Sequence, residues 1–506
     1  MILFMFCCIK YVTAQQSLKI QNYIQNNFNE KGRYIKETKL LYRKNGYEYI
    51  WYNNTAKHLF NDIINNLKYV KLKKESYQLD IINIESMKNV NYEKDSIEID
   101  FRLTNIMVNI VLDFYFGSQK PYLSYNLINN QVIIENIIEK MAKMLSNKNI
   151  VLTNFLDDTY FIPEVNYIYS KIEKIEKSIN QPNFKEYYIN SVKISIKNQL
   201  LINKLVQLNL LDTLNEKITD ELLNGKLKSA QYIFNLPEKN ELNNELKYAL
   251  NIPIVERLNQ LYTSLNYYKW LSCVIQNTKI PIIVVNIPSA SMKVYENNKI
   301  ILEMKMVLGK KRTPTPTLSS TVNNIILYPY WHVPYSIATK ELLPIIKKDP
   351  DYINRGNYQV LNNSGKLINP FSINWNTLNK NYFPYTIRQG TGCDNSLGLL
   401  KVDFDNPFGV YLHDTPTKQY FNREKRFYSH GCMRMEKPIE LGRIILSNNH
   451  IAIDTLIEKG CLLNKQPIIV NADKKATVIV WYNLIGLDQN ENIIFYNNIY
   501  NKSNKP

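Results

Sequence analysis

The sequence predicts an α+β protein of several domains, helical over its first 280 residues and mostly β beyond them. Three observations predict this. The chain has 506 residues, 45% of them apolar, too many for one ordinary core and enough for two to four domains. Upstream of Ile280, apolar residues recur at three- and four-residue spacing, the period of a helix face. From Ile280 they come instead in short β-branched runs, beginning with Pro281 to Ile287, which read as strands.

The N-terminus opens with nine apolar residues, Met1 to Ile9, then Lys10 and Val12-Thr13-Ala14. A bilayer span needs about 20 apolar residues. The run reads as a signal-peptide core with cleavage after Ala14 (residues 1–14), although the positive n-region is missing. Cys7 and Cys8 lack the small preceding residues of a lipoprotein box. Residues 15–194 read as a helical domain. Ala56 to Leu67 has helical spacing. Ile97 to Phe116 is strongly apolar, yet Glu98, Asp100, Arg102 and Asp113 make it a buried helix of a soluble domain, stopped by Gly117. Gln131 to Leu145 is a further helix. Residues 195–252 have the outline of a three-helix module, with leucines from Leu201 to Leu211, then Leu222 to Phe234, then Leu246 to Leu250. Residues 253–279 form a helical connector, in which Trp270 reads as a packing residue.

In the β part, Ile300–Leu308, Val322–Tyr328, Leu399–Phe404 and Gly409–His413 follow as strands, Pro438 to Leu446 as a helix, and Pro467–Val470 and Ala476–Tyr482 as late strands. This places His413 at a strand end and Cys432 in a turn before a helix. Residues 334–384 interrupt the strands as a long loop, a length usually reserved for function. Residues 483–506 remain as a tail.

The chemistry concentrates in Tyr411-Leu412-His413-Asp414-Thr415 and, with fifteen residues between His413 and Ser429, in Ser429-His430-Gly431-Cys432-Met433-Arg434. A free thiol titrates near 8.5, so a nucleophilic cysteine needs a base or cation beside it. His413 suits the base and Cys432 the nucleophile. Gly431 allows backbone N–H groups close to a reacting carbonyl. The Arg434 fork suits a carboxylate, in a substrate or in an ordering salt bridge. Zinc lacks support: Cys393, His413, His430 and Cys432 show neither C-x-x-C nor H-E-x-x-H spacing. No metal or cofactor is expected. The net charge of +17 gathers in no local basic patch, which argues against nucleic acid as a partner.

These residues resemble the L,D-transpeptidase (YkuD-type) catalytic domain, whose signature is a histidine, about fifteen residues, then S/T-H-G-C. The resemblance extends to Arg388-Gln389-Gly390-Thr391-Gly392, Asn395-Ser396-Leu397-Gly398, Lys401-Val402-Asp403-Phe404, Thr313-Pro314-Thr315-Pro316, Tyr328 to Pro334 and Val285-Asn286-Ile287-Pro288. It points to the large multidomain periplasmic branch of the family and covers roughly residues 280 to 470, inside a catalytic domain bounded at 280–482. By this resemblance residues 15–194 are a helical scaffold, 195–252 a degenerate peptidoglycan-binding-like module, and 334–384 a lid over the active site.

The resemblance implies a periplasmic enzyme that makes peptidoglycan 3→3 cross-links. The Cys432 thiolate attacks a tetrapeptide donor stem, D-alanine leaves, and an amine of an acceptor stem takes the acyl group. The carbonyl of Asp414 orients His413. Ser429, His430 and the Gly431 and Cys432 N–H groups support the oxyanion. Arg434, Tyr411, Trp331 and Asn395 line the substrate site. Donor and acceptor stem peptides are the expected partners, with contact to a membrane peripheral at most. An L,D-carboxypeptidase and a protein-to-peptidoglycan ligase share this acyl-enzyme and differ only in acceptor. A non-catalytic wall-binding scaffold would not need the poised thiol. Among the remaining cysteines, Cys393 lies in a motif near the site and its pairing stays open, while Cys273 and Cys461 read as buried small hydrophobes.

Overall fold

The computed structural model describes residues 2–28, 32–51, 96–146, 161–212, 217–239, 241–447 and 450–502. Ahead of residue 280 the named elements are nine helices among those described: α1 (Ile2–Asn27), α2 (Ile35–Lys44), α3 (Ser96–Phe116), α4 (Asn130–Ser146), α5 (Pro163–Ile179), α6 (Gln199–Gln207), α7 (Asp220–Ile233), α8 (Asn244–Asn251) and α9 (Ile254–Gln276). The helix expected at Ala56 to Leu67 lies outside the described residues. Helix α1 runs without a break through the cleavage point expected after Ala14. No helix among the described residues is long and apolar enough to cross a membrane.

Helix α3 shows how an apolar segment with charges becomes a core element. Asp100 accepts the backbone N–H of Trp51 at 2.7 Å and of Ile50 at 3.1 Å, and the Tyr42 hydroxyl. Asp113 pairs with Arg33. Both buried carboxylates thus keep partners, as burial of charge requires. Gly117 ends the helix at φ +75°, and a Cβ there would meet the Asn266 carbonyl oxygen of α9 at 2.6 Å. The side chains of Asn198, Thr219 and Asn243 accept the Leu201, Leu222 and Leu246 N–H groups and start α6, α7 and α8. Trp270 is 1% exposed within α9.

Beyond residue 280 the strands are β1 (Ile282–Asn286), β2 (Ser291–Glu296), β3 (Lys299–Gly309), β4 (Leu318–Leu327), β5 (Trp331–His332), β6 (Tyr358–Leu361), β7 (Leu367–Ile368), β8 (Thr386–Gln389), β9 (Leu400–Phe404), β10 (Leu412–His413), β11 (Phe427–Ser429), β12 (Met433–Met435), β13 (Ile468–Asn471), β14 (Thr477–Trp481), β15 (Ile485–Leu487) and β16 (Ile493–Phe495). The main sheet runs β3-β12-β10-β9-β4-β14-β1-β2, and β2 pairs back to β3, so it closes on itself. Three neighbouring pairs, β1–β14, β10–β12 and β3–β11, are parallel. Alternate residues such as Ile283, Val285, Val402, Leu412 and Met433 fill the enclosed core. The outward residues Ile282, Val284, Ile479 and Trp481 join the core of the helical half. The helices therefore cover the β1–β14 wall and leave the β9–β10–β12 wall for chemistry.

Three expectations need correction. Residues 334–384 are not a loop. A helical run from Tyr335 to Lys348 and the antiparallel sheet β5-β8-β6-β7 enclose their own core around Ile346, Ile353, Val360, Trp375 and Ile387. The elements are too short for any periodicity to show. Residues 483–506 are not a simple tail. The β15–β16 hairpin packs Ile485 and Phe495 into the helical core, and Arg257 lies between the Phe234 and Phe495 rings at 4.6 and 4.7 Å. Cys461 is not a packed thiol: it forms a disulfide with Cys393.

Candidate active site

Strand register assembles the site. Lys401 of β9 lies opposite His413 of β10, and His413 opposite Arg434 of β12. Their neighbours Val402, Leu412 and Met433 are paired in the same way and fully buried. Side chains alternate along a strand, so the apolar trio faces the core and the polar trio faces outward. Tyr411 and Cys432 stand one residue ahead of β10 and β12, where the Met433 N–H donates to the Tyr411 carbonyl at 3.0 Å, and Tyr411 acts to lower the thiol's pKa. Cys432, expected in a turn before a helix, is followed first by β12. That three-residue strand, too short to read from sequence, pairs directly with the strand that carries His413.

His413 is 4% exposed, and its Nδ1 lies 2.6 Å from the Asp414 carbonyl oxygen. That contact makes Nδ1 the donor and leaves Nε2 as the basic nitrogen. Burial, then the Arg434 charge, lowers the imidazole pKa to about 3. Burial also pushes the Cys432 thiol up, against the pull of Tyr411, Lys401 and Arg434. Both shifts favour the neutral forms. The resting pair is thiol and imidazole, not the thiolate expected from the motif. The Asp414 carboxylate accepts the Leu399 N–H at 2.9 Å and pairs with Lys418 at 2.5 Å. A side chain at Gly398 (φ +62°) would collide with it.

The turn before Cys432 is braced from within. Ser429 Oγ donates to the Cys432 carbonyl at 2.5 Å and accepts the Gly431 N–H at 3.1 Å. The Gly431 N–H is thereby occupied, which removes it as an oxyanion donor. The Cys432 N–H takes no acceptor among the described residues. Gly431 sits at φ +122°, a region that favours glycine. Thr315 Oγ1 donates to the Gly431 carbonyl at 2.9 Å, which gives the Thr313 to Pro316 motif a structural task behind the turn.

Other expected residues divide. Arg434 donates from Nη1 to Thr417 Oγ1 at 3.3 Å and lies 5.9 Å over the Tyr420 ring. It has no carboxylate partner among the described residues, and its buried Nε bonds nothing. The ordering salt bridge is absent, and a guanidinium faces the site uncompensated. Asn395 is corrected: it is 1% exposed, its amide donates to the Pro329 and Gly390 carbonyls and accepts the Leu397 N–H, and nothing is left for a substrate. His430 is corrected too. Its Nε2 meets Glu341 at 2.8 Å and Lys310 at 3.3 Å, so this nitrogen is engaged with those partners. Glu341 belongs to the 334–384 segment, and the Trp331 strand pairs with that segment's sheet. The segment thus meets the cysteine turn through Glu341 and His430. Thr417 and Glu341 were not singled out in the sequence, and Lys401 entered only within the Lys401-Val402-Asp403-Phe404 run of the resemblance. Only Lys401 left a signal, as an alternate residue two before Asp403. No cluster of three or more metal-ligating residues occurs among the described residues.

A mostly β domain that brings a cysteine and a histidine to paired neighbouring strands has the equipment of the acyltransferase class. Residues 280–470 match the YkuD family, the L,D-transpeptidase catalytic domain, and residues 36–159 match the Scaffold domain. The protein thus carries an L,D-transpeptidase catalytic domain behind a helical scaffold. A Haemophilus influenzae protein named "Putative L,D-transpeptidase" is 40% identical over 164 residues, 32% of this chain and 33% of its own. The chain spans about a third of that relative's length. Among solved structures, an L,D-transpeptidase from Mycobacterium smegmatis aligns at 16% identity over 40% of this chain and 58% of its own, TM-score 0.19. A mutant Enterococcus faecium L,D-transpeptidase aligns at 12% over 46% and 65%, TM-score 0.18. The family match carries the assignment.

Proposed function

We propose that this protein is an exported L,D-transpeptidase that forms 3→3 cross-links in peptidoglycan through an acyl-enzyme on Cys432. One observation carries the reading: Cys432 immediately precedes β12, which pairs in parallel with the His413 strand and sets His413 opposite Arg434, a half-buried cation without a carboxylate partner among the described residues. A binding scaffold has no use for that set. The donor is a tetrapeptide stem whose carboxylate sits on Arg434. Neutralising Arg434 removes one cause of the depressed His413 pKa, so substrate binding itself makes His413 a better base.

His413 Nε2 takes the thiol proton as sulfur attacks the carbonyl of stem residue three. The oxyanion forms against the Cys432 N–H. Collapse breaks the C–N bond, His413 returns the proton to the leaving amine, and D-alanine departs. An acceptor-stem amine then attacks the thioester and gives its proton to His413. The second collapse expels sulfur, which recovers that proton. The Cys393–Cys461 disulfide supports an oxidising compartment such as the periplasm.

The test is purified protein with disaccharide-tetrapeptide, read by mass spectrometry beside Cys432→Ala. The expected product is a dimer lighter by one D-alanine, lost by at least about 10³-fold in the variant. Tripeptide without dimer would convert the reading to a carboxypeptidase. Unchanged activity in Cys432→Ala would overturn it.

A further inference from the structure

Lys401 belongs to the outward face but has no part in the reaction as drawn. Its backbone lies opposite His413, and its ammonium sits 4.3 Å above the Tyr411 ring. Asp403, two residues on, holds it at 3.0 Å, and its side chain is only 19% exposed. Desolvating an ammonium costs free energy that a solvated surface lysine does not incur. The Asp403 side chain is itself 39% exposed, so its pairing is weakened by solvent.

The groups around the sulfur narrow what Lys401 does. Tyr411 stands just ahead of β10, and β10 supplies neutral His413. From β12 comes Arg434, from β9 Lys401 and Asp403, and Tyr411, Lys401 and Arg434 all favour the ionised sulfur. On the cysteine turn, His430 faces Glu341 and Lys310 instead. Arg434 is the cation assigned above to the donor carboxylate. Once substrate neutralises it, Lys401 is the cation of this face left to balance charge on sulfur.

Building on the acyl-enzyme reading, we propose that Lys401 is a positioning residue. Seated on the Tyr411 ring, it holds that tyrosine beside Cys432 and stabilises the negative charge that sulfur develops when its proton leaves. It exchanges no proton and touches no substrate. Its positive charge also opposes protonation of His413, so it acts on both partners in the direction of a thiolate beside a neutral imidazole.

The test needs no peptidoglycan. Full-length wild type, Lys401→Met and Lys401→Arg are treated with iodoacetamide from pH 6 to 10. Alkylation of Cys432 is followed by peptide mass spectrometry, with thermal melting in parallel. Lys401→Met is expected to slow alkylation about tenfold at pH 7.5 and to move the pH midpoint upward. Lys401→Arg is expected to stay within about twofold of wild type. If the Met variant does not fold, Lys401→Gln, which keeps a donor for Asp403, takes its place. A neutral variant that melts like wild type and alkylates with the wild-type rate and midpoint overturns the proposal. A protein that fails the cross-linking assay yet shows the Lys401 effect overturns the transpeptidase reading and leaves this one standing.

Discussion

Strands β9, β10 and β12 have two faces built from alternate residues of the same short segments, and the two obey opposite rules. Inward, Val402, Leu412 and Met433 meet only apolar neighbours and are fully buried. Outward, Lys401, His413 and Arg434 crowd two cations around an imidazole that burial keeps neutral. The inner face stabilises the fold. The outer face has no evident stabilising purpose, since a buried cation without a counterion costs free energy. The difference teaches that the packed face holds the strained one in place: the register set by the core determines which polar groups meet.

If that division is real, one-residue steps along β12 separate stability from activity. Met433→Ala opens a cavity in the core and is expected to cost about 2–5 kcal/mol of stability, measured by denaturant unfolding. Arg434→Met, the next residue, is expected to leave the melting temperature unchanged or higher. Its loss falls on kcat/KM for the tetrapeptide donor, by about 10- to 150-fold, the worth of a charge-assisted hydrogen bond of about 1.5–3 kcal/mol. A melting temperature that drops in Arg434→Met as far as in Met433→Ala would erase the distinction between the faces.

A further effect concerns pH. Burial keeps His413 neutral down to about pH 3, whereas an unfolded imidazole protonates near 6.5. Below about pH 6.5 the unfolded chain binds a proton that the folded one refuses, so stability falls as pH falls. The slope for this single group approaches about 1.4 kcal/mol per pH unit and persists until the folded pKa is reached. The unfolding free energies of wild type and His413→Gln should therefore run parallel above pH 7 and diverge below pH 6, with wild type losing more. Parallel curves down to pH 4 would mean that the imidazole is solvated and that the outer face is an ordinary surface.

Local pattern carried a good part of this protein. The change from helical to strand periodicity at Ile280, the buried helix from Ile97 to Phe116 and the pairing of a histidine with a downstream Ser-His-Gly-Cys run are all short-range signals. Each depends on residues close together in the chain. What the pattern misjudged were partners. Asn395 looked available until Pro329 and Gly390 took its amide. The Gly431 N–H looked free until Ser429 took it. His430 looked turned to the sulfur until Glu341, 89 residues away, engaged it.

By itself, then, the sequence determined where helices yield to strands and which thiol and imidazole stand in a recognisable frame. Those are properties of chain neighbours and their periodicity. Only the tertiary structure decided that Cys393 joins Cys461, that residues 334–384 fold around a core of their own, and that Lys401 and Arg434 flank His413. A sheet brings residues together across strands by register, and register is chosen by the whole core at once rather than by any segment alone.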